Sequence, residues 1–177
     1  MFGIGPRACC RAAQPRYHGG NDASFAFGAG GNRRFVDGGG LGAATEETAV
    51  DFMQLHKVEI AFHEAGTTKN LDLMLSLFAD DAVLTAGGKT YTGKDQIKSF
   101  WQAAGTFQPQ NQWVAYTPAF RIRYDVQGDR AHLYFECLYV DKAANKIAAH
   151  TNSDDSLVRV NGRWFIKEMK AAPVPEL

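Results

Sequence analysis

The sequence lacks any excess of charge. Its 19 Lys and Arg are matched by 19 Asp and Glu, so the formal net charge is zero. A nucleic-acid-binding chain needs a basic surplus to neutralise phosphates, so no nucleic-acid partner is expected. Cysteine is scarce: Cys9, Cys10 and Cys137 are the three present. They cannot build a disulfide framework, and the simplest setting is a reducing, cytoplasmic one. The adjacent Cys9 and Cys10 lack the spacing of a metal-binding pair, and no metal is expected. No apolar run reaches the roughly 20 residues of a membrane span, and none has the shape of a secretory signal. There is no internal repeat, no P-loop and no Gly-x-Gly-x-x-Gly turn between a strand and a helix, and no cofactor is expected.

Hydrophobic residues make up 45% and aromatics 12%, enough for a packed core. They are unevenly spread. Residues 1–44 hold 11 of the 18 glycines and carry five Arg against two Asp. Such a stretch gains little apolar burial for the entropy lost on ordering, so 1–44 reads as a flexible Gly-rich leader. Arg7, Arg11 and Arg16 give it a trace of a transit peptide, without the serines or the amphipathic face.

Residues 45–177 read as one domain. Thr45 and Thr48 are candidate N-caps, and Phe52, Leu55, Val58, Phe62 and Ala65 recur at helical steps, predicting a helix over 48–66 stopped by Gly66. Asn70 caps a second helix over Leu71–Phe78, Ala82–Thr85 is a short strand, and Lys94–Ala104 is a third helix. After Gly105 the pattern turns to long strands over Trp113–Tyr124, Arg130–Asp141, Ile147–Val160 and Arg163–Lys170. The last two flank Asn161-Gly162, a strong hairpin signal. Helices followed by an antiparallel meander define an α+β class.

That order, with Phe78-Ala79-Asp80-Asp81-Ala82-Val83-Leu84, Tyr91-Thr92-Gly93-Lys94-Asp95-Gln96-Ile97 and Asp155-Ser156-Leu157-Val158-Arg159 running into Asn161-Gly162-Arg163-Trp164, resembles the SnoaL-like branch of the nuclear-transport-factor-2-like (NTF2-like) superfamily over about 50–170. The resemblance implies a cone: a curved antiparallel sheet wrapped around about three N-terminal helices, with an apolar pocket at the open end and homodimers formed across the outer sheet face. It does not fix the chemistry, because superfamily members include isomerases, cyclases, dehydratases, epoxide hydrolases and proteins that only bind or oligomerise.

The ketosteroid isomerase pattern does not carry over. Its oxyanion tyrosine falls on Phe62, its catalytic aspartate on Ala86 and its protonated acid on about Ser156. A phenyl ring donates no hydrogen bond and a methyl accepts no proton. Alternation along the strands leaves both faces open as the pocket wall. Alignment to the isomerase pattern turns Tyr134, Glu136, His150, Asn152, Asp154 and Lys167 inward. On that registry Asp154 or Glu136 is the base, with His150 as acid or orienter. The ligand-binding candidates are Phe62, His63, Phe100, Trp101, Tyr116, Tyr134, Asn152 and Lys167. His56, Glu59 and His63 share a helix face, for which a solvated or packed role is simpler than a metal. Cys137 reads as an inert buried thiol. Two functions stand: a cofactor-free acid–base isomerase, cyclase or dehydratase of an apolar carbonyl- or hydroxyl-bearing molecule, or a non-catalytic ligand-binding or dimerisation module.

Overall fold

A computed structural model describes residues 46–116 and 119–175; the expected leader lies outside the described residues. Helix α1 (Glu46–Thr68) forms on the expected stripe, with Leu55, Val58, Phe62 and Ala65 all buried. It runs past Gly66 and ends at Lys69, whose φ of 57° is left-handed. Gly66 serves packing instead of termination: a Cβ there would stand 3.3 Å from Thr106 Oγ1. Helix α2 (Leu71–Ser76) is capped as expected, Asn70 Oδ1 accepting from the Leu73 N–H over 2.9 Å. It stops short of Phe78 because a distant strand claims the chain. The Leu77 carbonyl accepts from the Ile166 N–H at 2.8 Å, and Phe78 opens β1 (Phe78–Ala86).

Strand β2 (Lys89–Thr92) follows a tight turn and leads into α3 (Gly93–Ala103), which buries Ile97 and Trp101. A 3-10 turn over Gly105–Phe107 comes next. The stretch expected as one strand over 113–124 is two, β3 (Trp113–Ala115) and β4 (Phe120–Gln127). Both pair with β5 (Arg130–Asp141), β3 near its end and β4 along its start. Then come β6 (Lys146–Val160) and β7 (Arg163–Pro173), joined at Asn161-Gly162 with φ of 51° and 76°, the double positive φ that a two-residue hairpin turn requires.

The sheet order is β2-β1-β7-β6-β5-β3, with β4 also on β5. Every neighbour is antiparallel except β1, which lies parallel to β7, so the sheet is mixed where an antiparallel one was expected. Register shifts interrupt β1/β7, β4/β5, β5/β6 and β6/β7. Each bends and twists its strand, and the result is a curved, unclosed wall, an α+β cone. Its inner face carries the core: Leu133, Phe135 and Cys137 from β5, Leu157 from β6, Ile166 and Met169 from β7. Each fully buried large side chain there contributes about 1.5–3 kcal/mol.

Candidate functional site

The inner wall and the helices do not fill the cone. A cavity of about 330 Å³ remains between α1, α3, the 3-10 turn and strands β5 to β7, a size suited to one small molecule. Phe62, Phe100, Trp101 and Phe135 supply aromatic wall, and Thr106, Cys137, Tyr139 and Ser153 supply polar atoms. Trp101 is 5% exposed, and its indole Nε1 has no hydrogen-bond partner among the described residues. A buried donor left unpaired carries a desolvation cost that a bound acceptor would remove.

The structure reverses the expected strand registry. In β5 the buried inward set is Ala131, Leu133, Phe135, Cys137 and Tyr139, and in β6 it is Ser153, Asp155 and Leu157. Tyr134, Glu136, His150 and Asp154 are on the opposite, outer face. Glu136 and His150 do meet there. His150 Nε2 is 3.1 Å from Glu136 Oε2, the Tyr134 hydroxyl donates to Oε1 at 3.0 Å, and Arg121 Nη1 approaches it at 3.4 Å. Burial pushes the Glu136 carboxyl up, but those hydrogen bonds and the Arg121 charge hold it below its ordinary range. Asp154 takes no part in that contact; its Oδ1 pairs with His132 Nε2 at 2.6 Å.

Lys167 is the extra residue of the β6/β7 bulge, where Ser156 and Leu157 face Glu168 and Ile166. It pairs with Asp81, away from the cavity. Tyr116 is 59% exposed and lines no part of the cavity. Phe62, Phe100, Trp101 and Asn152 do line it. His63 is buried directly behind, edge-on to Phe135 with ring centres 5.5 Å apart.

Two polar groupings lie on the inner side. In the first, Asp155 is fully buried and accepts from the Ser153 hydroxyl at 2.6 Å, while its Oδ2 has no hydrogen-bond partner among the described residues. Burial raises its carboxyl to about 8, against the pull of the Ser153 hydrogen bond. Burial thus favours the neutral form of Asp155, which lies one hydroxyl behind the cavity wall.

In the second, Glu59 and His63 lie one turn apart on α1, both with fully buried side chains. Glu59 Oε1 is 2.7 Å from His63 Nδ1, and His63 Nε2 is in direct contact with Cys137 Sγ. Glu59 Oε2 lies 3.4 Å from His56 Nδ1, which meets the Tyr124 hydroxyl at 2.9 Å. Burial, then the Glu59 charge, pushes Tyr124 up to about 12. The i, i+4 spacing of Glu59 and His63 was readable; their meeting with a strand residue 74 positions from His63 was not. Among the described residues, no group of three or more His, Cys, Asp or Glu side chains is placed to hold a metal ion. No described helix is long and apolar enough to cross a membrane.

Comparison with solved structures finds the same architecture. A Mycobacterium tuberculosis protein of unknown function superposes with a TM-score of 0.66 at 16% identity, over 78% of this chain and 80% of that one. An NTF2-like protein with a cystatin-like fold from Novosphingobium aromaticivorans gives 0.63 at 12% identity, over 78% and 94%. A provisionally named scytalone dehydratase from the same organism gives 0.57 at 18%, over 71% and 85%. At these identities the likeness is one of fold alone. No protein with a curated description matches. Residues 50–170 match the SnoaL-like domain. That span runs from within α1 into β7, and so the chain belongs to the SnoaL-like domain family.

Proposed function

We propose that the cavity binds one small apolar molecule bearing a carbonyl or hydroxyl, and that its chemistry is cofactor-free acid–base catalysis of the isomerase, cyclase or dehydratase kind. The observation that carries this reading is a mostly apolar cavity wall that includes Trp101, whose indole N–H has no partner among the described residues. In this reading the N–H turns to a ligand oxygen that enters the cavity, in a low-dielectric site where such a bond is strong. The acid–base role passes from the expected Asp154, Glu136 and His150 to Ser153 and Asp155. Ser153 meets the ligand, and Asp155, poised near neutral pH, exchanges a proton through it. The dehydratase name of one structural neighbour agrees with this class. The placement of Asp155 behind the wall favours the second reading, binding without turnover.

The test is chemical-shift mapping with 4-phenylbutan-2-one, a small apolar ketone. The amides of Phe135, Thr151 and Ser153 should shift, and Ala171→Phe, which fills the cavity, should abolish the effect. Shifts clustered at Glu136 and His150, or none, would contradict the proposal. Proton exchange at the carbon beside the ketone, lost in Asp155→Asn, separates catalysis from binding.

Self-association through the outer face is part of the same proposal. Phe120 and Ile147 are large exposed apolar residues that share one outer depression with Leu138 and His150. A second copy covering this face would bury them. Ile147→Glu should convert a dimer to a monomer in sedimentation analysis; a wild-type monomer would refute the dimer.

A further inference from the structure

Cys137 supplies a thiol to the cavity wall that the acid–base reading leaves unused. Its surroundings are unlike those of an incidental core thiol. His63 Nε2 contacts Sγ on one side, and His63 Nδ1 faces Glu59 Oε1 at 2.7 Å on the other. Thiol, imidazole and carboxyl thus stand in series, in the order that activates a nucleophile: the base on the thiol and an orienting acid on the base. All three residues are at most 2% exposed, yet Cys137 borders the 330 Å³ cavity.

By itself this thiol is inert. Burial, and next the Glu59 charge, raises it to about 12, partly countered by a hydrogen bond with Tyr139, so almost no thiolate exists at neutral pH. Attack therefore requires proton removal as the bond forms, and His63 is in place to do it. A proton taken there has a route outward. Glu59 Oε2 lies 3.4 Å from His56, whose side chain is 40% exposed.

The site also limits the electrophile. Cys137 is paired with Thr151 in mid-strand. A backbone N–H engaged in that ladder is not available to hold the oxyanion of an acyl transfer. Addition to a conjugated carbon needs no such hole at the sulfur; the carbonyl, two bonds away, needs only one donor.

We propose that Cys137 adds covalently to α,β-unsaturated ketones or aldehydes that enter the cavity, with His63 as base and Glu59 as its positioning residue. Sγ forms a bond to the β-carbon, and the alkene π pair shifts to give the enolate. The thiol proton passes to His63 Nε2 and from there to the α-carbon. The thiol has then been added across the double bond, with no oxidant, reductant or leaving group. This rests on the reading that the cavity admits carbonyl compounds, and the test separates the two.

The full chain is incubated with 4-phenylbut-3-en-2-one, and adducts are located by peptide mass spectrometry, so that Cys9 and Cys10 are scored apart from Cys137. The expected result is one adduct on Cys137, slowed by the saturated 4-phenylbutan-2-one as competitor. His63→Gln should react roughly 100-fold more slowly. The pH profile adds a readout that loss of packing would not give. The groups facing the thiol are His63 and Glu59 from α1 and Tyr139 from β5. In His63→Gln, where only pre-formed thiolate attacks, the rate should climb about tenfold per pH unit; in wild type, where a base takes the proton during attack, it should depend much less on pH. Glu59→Gln, a milder change, should slow addition while circular dichroism shows a folded protein. Absence of the Cys137 adduct while the saturated ketone still binds overturns the thiol proposal and leaves the cavity reading standing. Absence of both overturns both. An adduct with unchanged rate and pH dependence in His63→Gln removes the base and overturns the mechanism.

Discussion

Ser153 and Asp155 face the same side of β6, and the Ser153 hydroxyl reaches the Asp155 Oδ1 across 2.6 Å. One of the two borders the cavity and the other is sealed from solvent. The carboxyl has been moved from its ordinary 3.8 to about 8 by burial. Between those values the folded chain holds a proton that the unfolded chain has released. Stability from this group is therefore full below pH 3.8, falls as pH rises through the window, and is flat above about 8. Thermal melts from pH 5 to 8 should show a decline on the order of 5–10 °C that Asp155→Asn largely removes. Equal slopes in both proteins would mean that Asp155 titrates normally.

Trp101 gives a prediction that separates stability from binding. Trp101→Phe removes a buried donor that has no partner among the described residues, so the ligand-free protein should lose at most about 1 kcal/mol, less than a core aromatic normally costs. Affinity for 4-phenylbutan-2-one should fall by roughly fivefold to tenfold, the value of one neutral hydrogen bond. Calorimetric titration beside a urea melt measures both. Unchanged affinity would place the ketone oxygen elsewhere.

Lys69 ties down the segment that brings Gly105 and Thr106 to the cavity wall. Its Nζ donates to the carbonyls of Thr106, Gln108 and Asn111 at 3.0, 2.9 and 2.8 Å. Lys69→Met keeps the stem but removes all three donors. Stability should drop by about 1–3 kcal/mol, and amide exchange should accelerate over residues 105–112 and not in β6. Uniform acceleration would mean that Lys69 is not a local clamp.

Arg159 closes the other end of α1. It donates from Nη1 to Asp51 at 2.7 Å and from Nε to Asp129 at 2.9 Å, and lies over the Trp164 ring. Asp51 is 4% exposed, and removing its cation strands a buried charge. Arg159→Ala should cost about 3 kcal/mol in urea unfolding, and the Asp51→Asn, Arg159→Ala double variant should recover part of it. Additive losses would deny the coupling.

The sequence made the helices and the last hairpin legible because their signals are local: the 3.6-residue stripe of α1, the Asn70 cap, and the Asn161-Gly162 turn with its two positive φ values. The start of β1 was not legible, since Phe78 becomes a strand residue only by lying beside Ile166. Nor was the Glu59–His63–Cys137 series, which joins α1 to β5. The strand faces failed for a different reason. Glu136 is buried on the outer side under Arg121, Tyr134 and His150, so neither face of β5 reads as simply polar. The left-handed φ of 51° at Arg121 belongs to a bulge that brings its guanidinium to Glu136. At Lys167 a bulge likewise breaks the alternation on which any face assignment depends.

On the reading proposed above, ligand binds the inner face of the sheet. Soaking crystals with 4-phenylbutan-2-one tests it most directly. One molecule should sit between Phe135, Cys137 and Ser153, its oxygen within about 3.2 Å of Trp101 Nε1. A molecule seated against Glu136 and His150 on the outer face, with the interior empty, would contradict it.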